Sequence, residues 1–338
     1  MAVTESKCMP CYNPLIAYRR YDNKVVINRL PSVDWESNGE HPFNIPCGKC
    51  IGCRLNYARE WALRCIHEAQ THDENSFITL TFNKEHLPKD GSLNVATFQR
   101  FMKRLRAGTK IKNLRFFHSG EYGEKFRRPH YHALIFGYDF PDKKLFQKNK
   151  DPSLNLYTSQ ELTKTDSNGD PIGGYWPYGF STIGNLTYES ASYTARYILK
   201  KINGDMAKDH YGDLLPEYCT MSRVPGLGTD WYKKFGWSDC HANDRCGVIR
   251  NGKTYYSRPP RFYDDILKNG SRYKGKGKTK GCWNIFPNPN LFEKIKKKRL
   301  EKQDDPIVYR GKHGRLKTKE EVKTLQIEKI LRNLEVDI

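Results

Sequence analysis

Apolar positions along the chain switch between two spacings. In "RLNYAREWALRCIHEAQ" (54–70), Tyr57, Trp61, Arg64 and Cys65 recur at helical spacing with charges between them, which predicts a helix. "SFITLTF" (76–82) is β-branched and aromatic and predicts a strand buried on both faces. In "NVATFQRFMKRLRAG" (94–108), Phe98, Phe101, Met102 and Leu105 fall at i, i+3, i+4 and i+7, with basic residues elsewhere and Gly108 as the stop. Three further strands are expected in "NLRFFHSG" (113–120), "HYHALIFG" (130–137) and "GFSTIGNL" (179–186), and a third helix in "ESASYTARYILKKI" (189–202). The polar stretch 141–174 reads as a long loop or excursion. The order β-α-β-β-loop-β-α predicts an α+β domain, a mostly antiparallel sheet with helices on one face.

Outside 56–205 the pattern weakens. Residues 1–55 are rich in Cys, Pro and Gly, which suits a small Cys-rich module. Residues 206–338 form a basic C-terminal region, with linker composition at 268–281 and a basic, helical tail at 292–338. No run of 18 apolar residues is present, so a transmembrane helix is not expected, and the N-terminus lacks the apolar segment of a secretory signal.

Charge narrows the partners. The 338 residues carry 58 Lys+Arg against 38 Asp+Glu, a net +20, which makes a polyanion the natural partner. Nucleic acid is favoured over a membrane surface, because no basic amphipathic helix rich in Leu and Trp is found.

Three constellations carry chemistry. On a strand, residues i and i+2 share a face, so His130 and His132 project side by side with Leu134 and Phe136, while Tyr131, Ala133 and Ile135 line the other face. Two such histidines are either hydrogen-bonded strand residues or ligands of one cation. Glu121 ends the preceding strand and would come opposite them in a hairpin, completing a set that suits Mg2+ or Mn2+, with zinc still open and Glu124 or His118 as substitutes. In "SYTARYILKK" (192–201), Tyr193, Tyr197 and Lys200 share one helix face, nearly opposite an apolar stripe of Ala191, Ala195, Ile198 and Ile202. The stripe should pack on the sheet, leaving two phenols beside a lysine facing away from it, an arrangement suited to nucleophilic attack on phosphorus. Finally, Cys8, Cys11, Cys47 and Cys50 have the CxxC…CxxC spacing of a structural zinc site, with Cys53 competing with Cys50 and free thiols as the alternative.

The trio "FITLTF", "HYH" and "YTARYILKK" resembles the three motifs of HUH endonucleases, the enzymes that initiate rolling-circle replication. The two-tyrosine initiators of small single-stranded DNA phages are the nearest pattern, and "PCGKCIGCRLNYAREWALRCIHEA" with "MSRVPGLG" looks like the gokushovirus branch of the Microviridae. The resemblance implies an RRM-like sheet, a divalent metal on His130 and His132, Tyr193 and Tyr197 as nucleophiles, and Lys200 or Lys201 as the accompanying lysine. Glu121 as third ligand is an inference from the hairpin, since the motif leaves that ligand open. Tyr131 departs slightly from the motif, where an aliphatic residue is commoner. The implied activity is nicking of single-stranded or double-stranded phage origin DNA through a 5′-phosphotyrosine link, followed by rejoining. Arg127 and Arg128 would line the DNA groove, a host helicase and replication machinery would separate and copy the strands, and the site of action would be the cytoplasm of the bacterial host. Two other readings remain: a non-catalytic zinc-knuckle nucleic-acid-binding protein, and a metal-dependent nuclease that uses water.

Overall fold

The computed structural model describes residues 4–5, 11–19, 25–27, 43–123, 126–200, 206–250, 253–272, 283–301, 320 and 323–324. The chain divides into two compact units, Met1–Ser6 with Ala58–Phe292, and Lys7–Tyr57 with Glu293–Ile338.

At the centre of the larger unit lies a seven-stranded sheet whose neighbours all pair antiparallel. Its strands are β1 (Asn75–Thr81), β2 (Arg115–Tyr122), β3 (Pro129–Phe136), β4 (Lys144–Gln147), β5 (Leu156–Thr158), β6 (Ser181–Asn185) and β7 (Tyr218–Met221), in the order β7-β2-β3-β1-β6-β5-β4. Three helices pack on it: α1 (Ile51–Ala69, from Ala58 onward), α2 (Val95–Thr109) and α3 (Tyr188–Lys200). The four strands and three helices expected from apolar spacing are all present. The stretch 141–174 is more than a loop, because β4 and β5 extend the sheet and a small hairpin pairs Lys164–Thr165 with Pro171–Gly173. Helix α2 begins at an Asn94 side chain that accepts from Ala96 N at 2.8 Å, and it ends beyond Gly108, with Lys110 in the left-handed conformation.

Helices cover both faces of the sheet, not the single face that the order of elements suggested. Ile78, Leu80, Tyr131, Ala133 and Ile135 point to one side and are closed by Phe98, Phe101, Met102 and Leu105 of α2. Phe117, Leu134 and Phe136 point to the other and are closed by Ala58, Ala62 and Cys65 of α1 with Ala191 and Ala195 of α3. The physical reason is the alternation of the central strands, which are apolar on both sides over most of their length and need two covers. Each aromatic ring buried by α2 contributes about 1.5–3 kcal/mol.

The chain beyond 205 continues in the same unit. Strand β7 pairs along β2 from Tyr218↔Gly120 to Met221↔Phe117. Farther on, Trp231 and Tyr232, the hairpin of Cys246–Arg250 with Lys253–Ser257, and the helix Arg261–Asn269 surround Leu63 in a third apolar cluster. Buried Glu68 ties this region to the sheet: its carboxylate meets Arg115 and accepts from Gly228 N at 2.7 Å. Residues 273–282, most of the stretch read as a linker, lie outside the described residues, as does most of the chain after 301.

In the smaller unit, Leu15–Arg19 pairs with Val25–Val26 and with Phe43–Ile45. Glu320 accepts from Ile51 N at 3.2 Å and from Asn13 Nδ2 at 2.9 Å, holding the start of α1. Among the described residues, no helix is long and apolar enough to cross a membrane.

Candidate functional site

The register of the sheet builds the site row by row. Glu121, His130 and Thr81 are cross-strand partners on β2, β3 and β1; the next row is Ser119, His132, Thr79 and Thr182; and the third is Phe117, Leu134, Phe77 and Gly184. Partners opposite one another share a face, so the third row is apolar and lies under α1 and α3, whereas the first two are polar.

His132 is held at both ring nitrogens. Nε2 lies 2.8 Å from Glu121 Oε1, and Nδ1 lies 3.0 Å from Thr79 Oγ1. With Glu121 ionised, Nε2–H donates to the carboxylate, and the neutral ring accepts the Thr79 hydroxyl at Nδ1. Both Glu121 and His132 are buried. His130 is half-buried and packs against the turn at Gly123, where a Cβ would come within 2.8 Å of its Cε1.

Helix α3 brings the tyrosines onto this imidazole. Tyr197 lies flat on His132, with centroids 5.0 Å apart and planes within 3°. Tyr193 meets His132 edge-on at 5.2 Å and Tyr197 edge-on at 4.9 Å, with Phe77 beneath it at 6.1 Å. The tyrosine side of α3 therefore does not face away from the sheet as the opposite alanine stripe suggested. The buried arc of the helix is wider than that stripe and takes in Thr194 and Tyr197 as well as Ala191 and Ala195, which turns the Tyr197 ring onto the strands. Burial, then Glu121 and Tyr193, push the Tyr197 phenol well above its ordinary range. Tyr193 stays half-buried.

The remaining residues divide. Arg127 and Arg128 lie on the turn between β2 and β3, where Gly123 N donates to Arg128 O at 2.9 Å and Arg127 Nη2 donates to His210 O at 3.3 Å. Lys200 ends α3, but its side chain, all of Lys201 and all of Glu124 lie outside the described residues. His118 cannot stand in for Glu121. It pairs with Ala133 on the α2 side, where it stacks on Phe98 at 3.5 Å and within 5°, with Nδ1 3.0 Å from Thr220 Oγ1.

The donor set suits a divalent cation in part. Cis ligands on an octahedral ion with bonds of about 2.1 Å lie roughly 3 Å apart, close to the 2.8 Å between His132 Nε2 and Glu121 Oε1. His130 shares their face, but its ring nitrogens do not converge with them. Among the described residues, the only group of three or more His, Cys, Asp or Glu ligand atoms lying within 4.8 Å of one another is a cysteine quartet.

That quartet is Cys11, Cys47, Cys50 and Cys53, all free thiols, and it could hold a metal such as zinc. Cys53 takes the place the spacing argument gave to Cys8, which lies outside the described residues. Backbone N–H groups serve the sulfurs as they do in metal knuckles: Cys47 N donates to Cys11 Sγ, Cys50 N to Cys47 Sγ and Tyr12 N to Cys50 Sγ, each at 3.3 Å. Burial opposes thiolate formation at Cys47, yet the N–H groups of Cys50 and Lys49 outweigh it and bring the thiol down to about 7.

Sequence reasoning overlooked Thr79 and Ser119. Thr79 lies inside the quoted motif "FITLTF", but only cross-strand register shows that it faces His132.

Known proteins agree with this arrangement. The family model for the replication-associated protein ORF2 matches residues 75–202, the span from β1 to the end of α3. The chain is 36% identical over 233 residues to Replication-associated protein VP4 of Bdellovibrio phage phiMH2K, covering 67% of this chain and 68% of that protein. It is 33% identical over 235 residues to Replication-associated protein ORF2 of Spiroplasma virus 4, covering 65% and 69%. Against Replication-associated protein ORF4 of Chlamydia phage 1 it is 30% identical over 230 residues, covering 67% and 54%. No solved structure matches. The span these relatives share contains the sheet, the histidine pair and the tyrosine helix, and on that similarity the chain belongs to the ORF2 family of phage replication-associated proteins.

Proposed function

We propose that the protein is a phage replication initiator that cuts one strand of origin DNA with a tyrosine and later rejoins it. The observation that carries this reading is the stack of Tyr197 on His132, itself hydrogen-bonded to Glu121, with Tyr193 against both rings. Two phenols and a His/Glu cation site on one sheet face match attack on a phosphodiester better than they match a binding surface. His130, His132 and Glu121 would hold a divalent cation, which supplies Lewis-acid polarisation of a phosphate oxygen when bound.

The rest of the reaction belongs to the chain. A tyrosine Oη forms a bond to phosphorus as the bond from phosphorus to the 3′ oxygen breaks. The phenol gives up one proton and the departing 3′ oxygen gains one, leaving a 5′-phosphotyrosine and a 3′-hydroxyl that primes synthesis. The phosphoester bond is exchanged, not hydrolysed, so a later attack by a 3′-hydroxyl can close the strand. Tyr193 makes the first cut, because it is more exposed and meets the imidazole only by its edge. Tyr197 must leave its stack on His132 before it can act, which suits the second transfer. Arg127 and Arg128 hold the strand at the turn. The work takes place in the cytoplasm of the bacterial host, with the host helicase and replication machinery.

The test is a denaturing gel of purified protein with labelled single-stranded oligonucleotides tiled across the phage origin in Mn2+. A DNA-linked protein band that EDTA abolishes is expected. Cleavage without that band would make this a water-using nuclease, and binding without cleavage a non-catalytic DNA-binding protein.

The cysteine quartet holds zinc in the same reading and folds the smaller unit without entering the chemistry. Metal analysis should find about one zinc per chain, reduced by Cys53→Ser and unchanged by Cys8→Ser.

A further inference from the structure

Two exposed aromatic side chains flank the Glu121–His130–Thr81 row and belong to no apolar cluster among the described residues. Phe180 precedes β6 and continues its pairing with β1: Thr81 N and Thr81 Oγ1 donate to Phe180 O at 2.9 and 3.1 Å, and Asn83 N donates to Tyr178 O at 3.0 Å. Ser181 pairs with Leu80 and Ile183 with Ile78, both on the α2 side, so strand alternation turns Phe180 to the histidine side. Gly179 makes this approach possible, since a Cβ there would stand 2.2 Å from Thr81 O, a backbone atom. At about 4.8 Å per strand, Phe180 is about 10 Å from His130 across β1. It is 44% exposed. On the other flank, Phe126 is 72% exposed on the Gly123–Arg128 turn, with the Arg128 guanidinium 5.9 Å from its ring centre.

A single exposed phenylalanine is ordinary. Two, each held by hydrogen-bonded backbone beside the same polar row, one with an arginine over it, on a chain of net charge +20, form a surface with a preferred occupant. We infer that Phe180 and Phe126 are stacking platforms for the unpaired bases on the two sides of the phosphate that is cut. Each ring offers a π-face to a base whatever its identity, and Arg127 and Arg128 take neighbouring phosphates. The pair selects single strands, because bases inside a duplex already have both faces stacked. The inference rests on the reading of the tyrosine–histidine face as the cutting site.

The experiment measures binding of the full chain in EDTA, so that no chemistry intervenes, to fluorescent oligothymidylate and to a duplex of equal length. Phe180→Ala and Phe126→Ala should each weaken single-strand binding roughly 5- to 100-fold and duplex binding less than about twofold, with Phe180→Trp restoring the loss. A 2-aminopurine walked along the strand should be quenched at the bases on either side of the cut, and each Ala variant should lift one quench. Wild-type single-strand affinity in both Ala variants, equal losses on duplex, or a Phe180→Leu variant as good as Phe180→Trp would each overturn the inference. The covalent-adduct gel separates the two readings. Stacking without any adduct sinks the cutting mechanism alone, whereas an adduct with unimpaired binding by the Ala variants sinks the stacking alone.

Discussion

The two faces of the central sheet differ sharply although they share the same strands. Two histidines one strand apart show it. His118 on β2 and His132 on β3 are both almost wholly buried, but they point to opposite sides. His118 lies flat between Phe98 and the sheet, and burial, aided by the nearby His132, holds it well below the usual imidazole range and neutral. His132 lies among Glu121, Thr79, Tyr193 and Tyr197, with both nitrogens engaged by oxygen. The α2 side is closed by large rings and serves the fold. The other side is closed only over its apolar row, because the alanines of α1 and α3 sit on Phe117, Leu134 and Phe136 and leave the two polar rows for chemistry. Burial alone thus does not distinguish a structural histidine from a functional one; the polarity of its neighbours does.

The comparison can be broken most forcefully at His132. His132→Ala should lower adduct formation by two to three orders of magnitude or more with little loss of DNA affinity, read by quenched-flow gels beside anisotropy titrations. A variant that still forms the adduct at the wild-type rate would return His132 to an ordinary strand residue.

The tyrosines sharpen the open side. Tyr193→Phe should slow the first cut roughly a hundredfold or more, whereas Tyr197→Phe should leave the first cut within about tenfold and impair strand rejoining. The reverse order in a single-turnover assay would assign the first attack to the buried phenol.

On the closed side, His118→Ala should cost about 2–4 kcal/mol in a urea unfolding curve, as for other large-to-small changes in a packed core. The nicking rate per folded molecule should stay within about threefold of wild type, measured at a temperature where both proteins are folded. A large loss of nicking with little loss of stability would mean that the two faces are coupled through β2 and β3.

The smallest effect is on pH dependence. His67 is pushed down to about 3 by burial and His118 is held low for the same reason. Both folded values lie below the unfolded one near 6.5, so their stabilising contribution is complete above pH 6.5 and is lost as pH falls below it, by roughly 1.4 kcal/mol per pH unit for each buried imidazole. Melting temperatures from pH 7.5 to 5 should fall accordingly, and His118→Ala should flatten the slope. An unchanged slope would show that His118 is protonated in the fold.

Much of the central domain was legible in local patterns. Two-residue alternation and helical spacing depend on neighbours along the chain, so β1, β2, β3, β6, α2 and α3 could be read off, along with the side of β3 that carries His130 and His132. Charge balance pointed to nucleic acid for the same reason, since it needs no geometry. The helix on the second face was not legible, because an apolar stripe says that a helix is covered without saying on which side of a sheet it lies. Strands β4 and β5 were hidden in a polar stretch, since edge strands bury little and carry a weak pattern.

The site divides along the same line. The spacing of His130 with His132 and of Tyr193 with Tyr197 is set by the chain, and each pair shares a face for that reason alone. The hydrogen bond of Glu121 with His132, the clamp by Thr79, the stack of Tyr197 on the imidazole and the choice of Cys53 all depend on contacts between segments distant in sequence. Such contacts follow from strand register and from how far round a helix is buried. Those are properties of the packed molecule, decided by which apolar rows close together, and no window along the chain contains them.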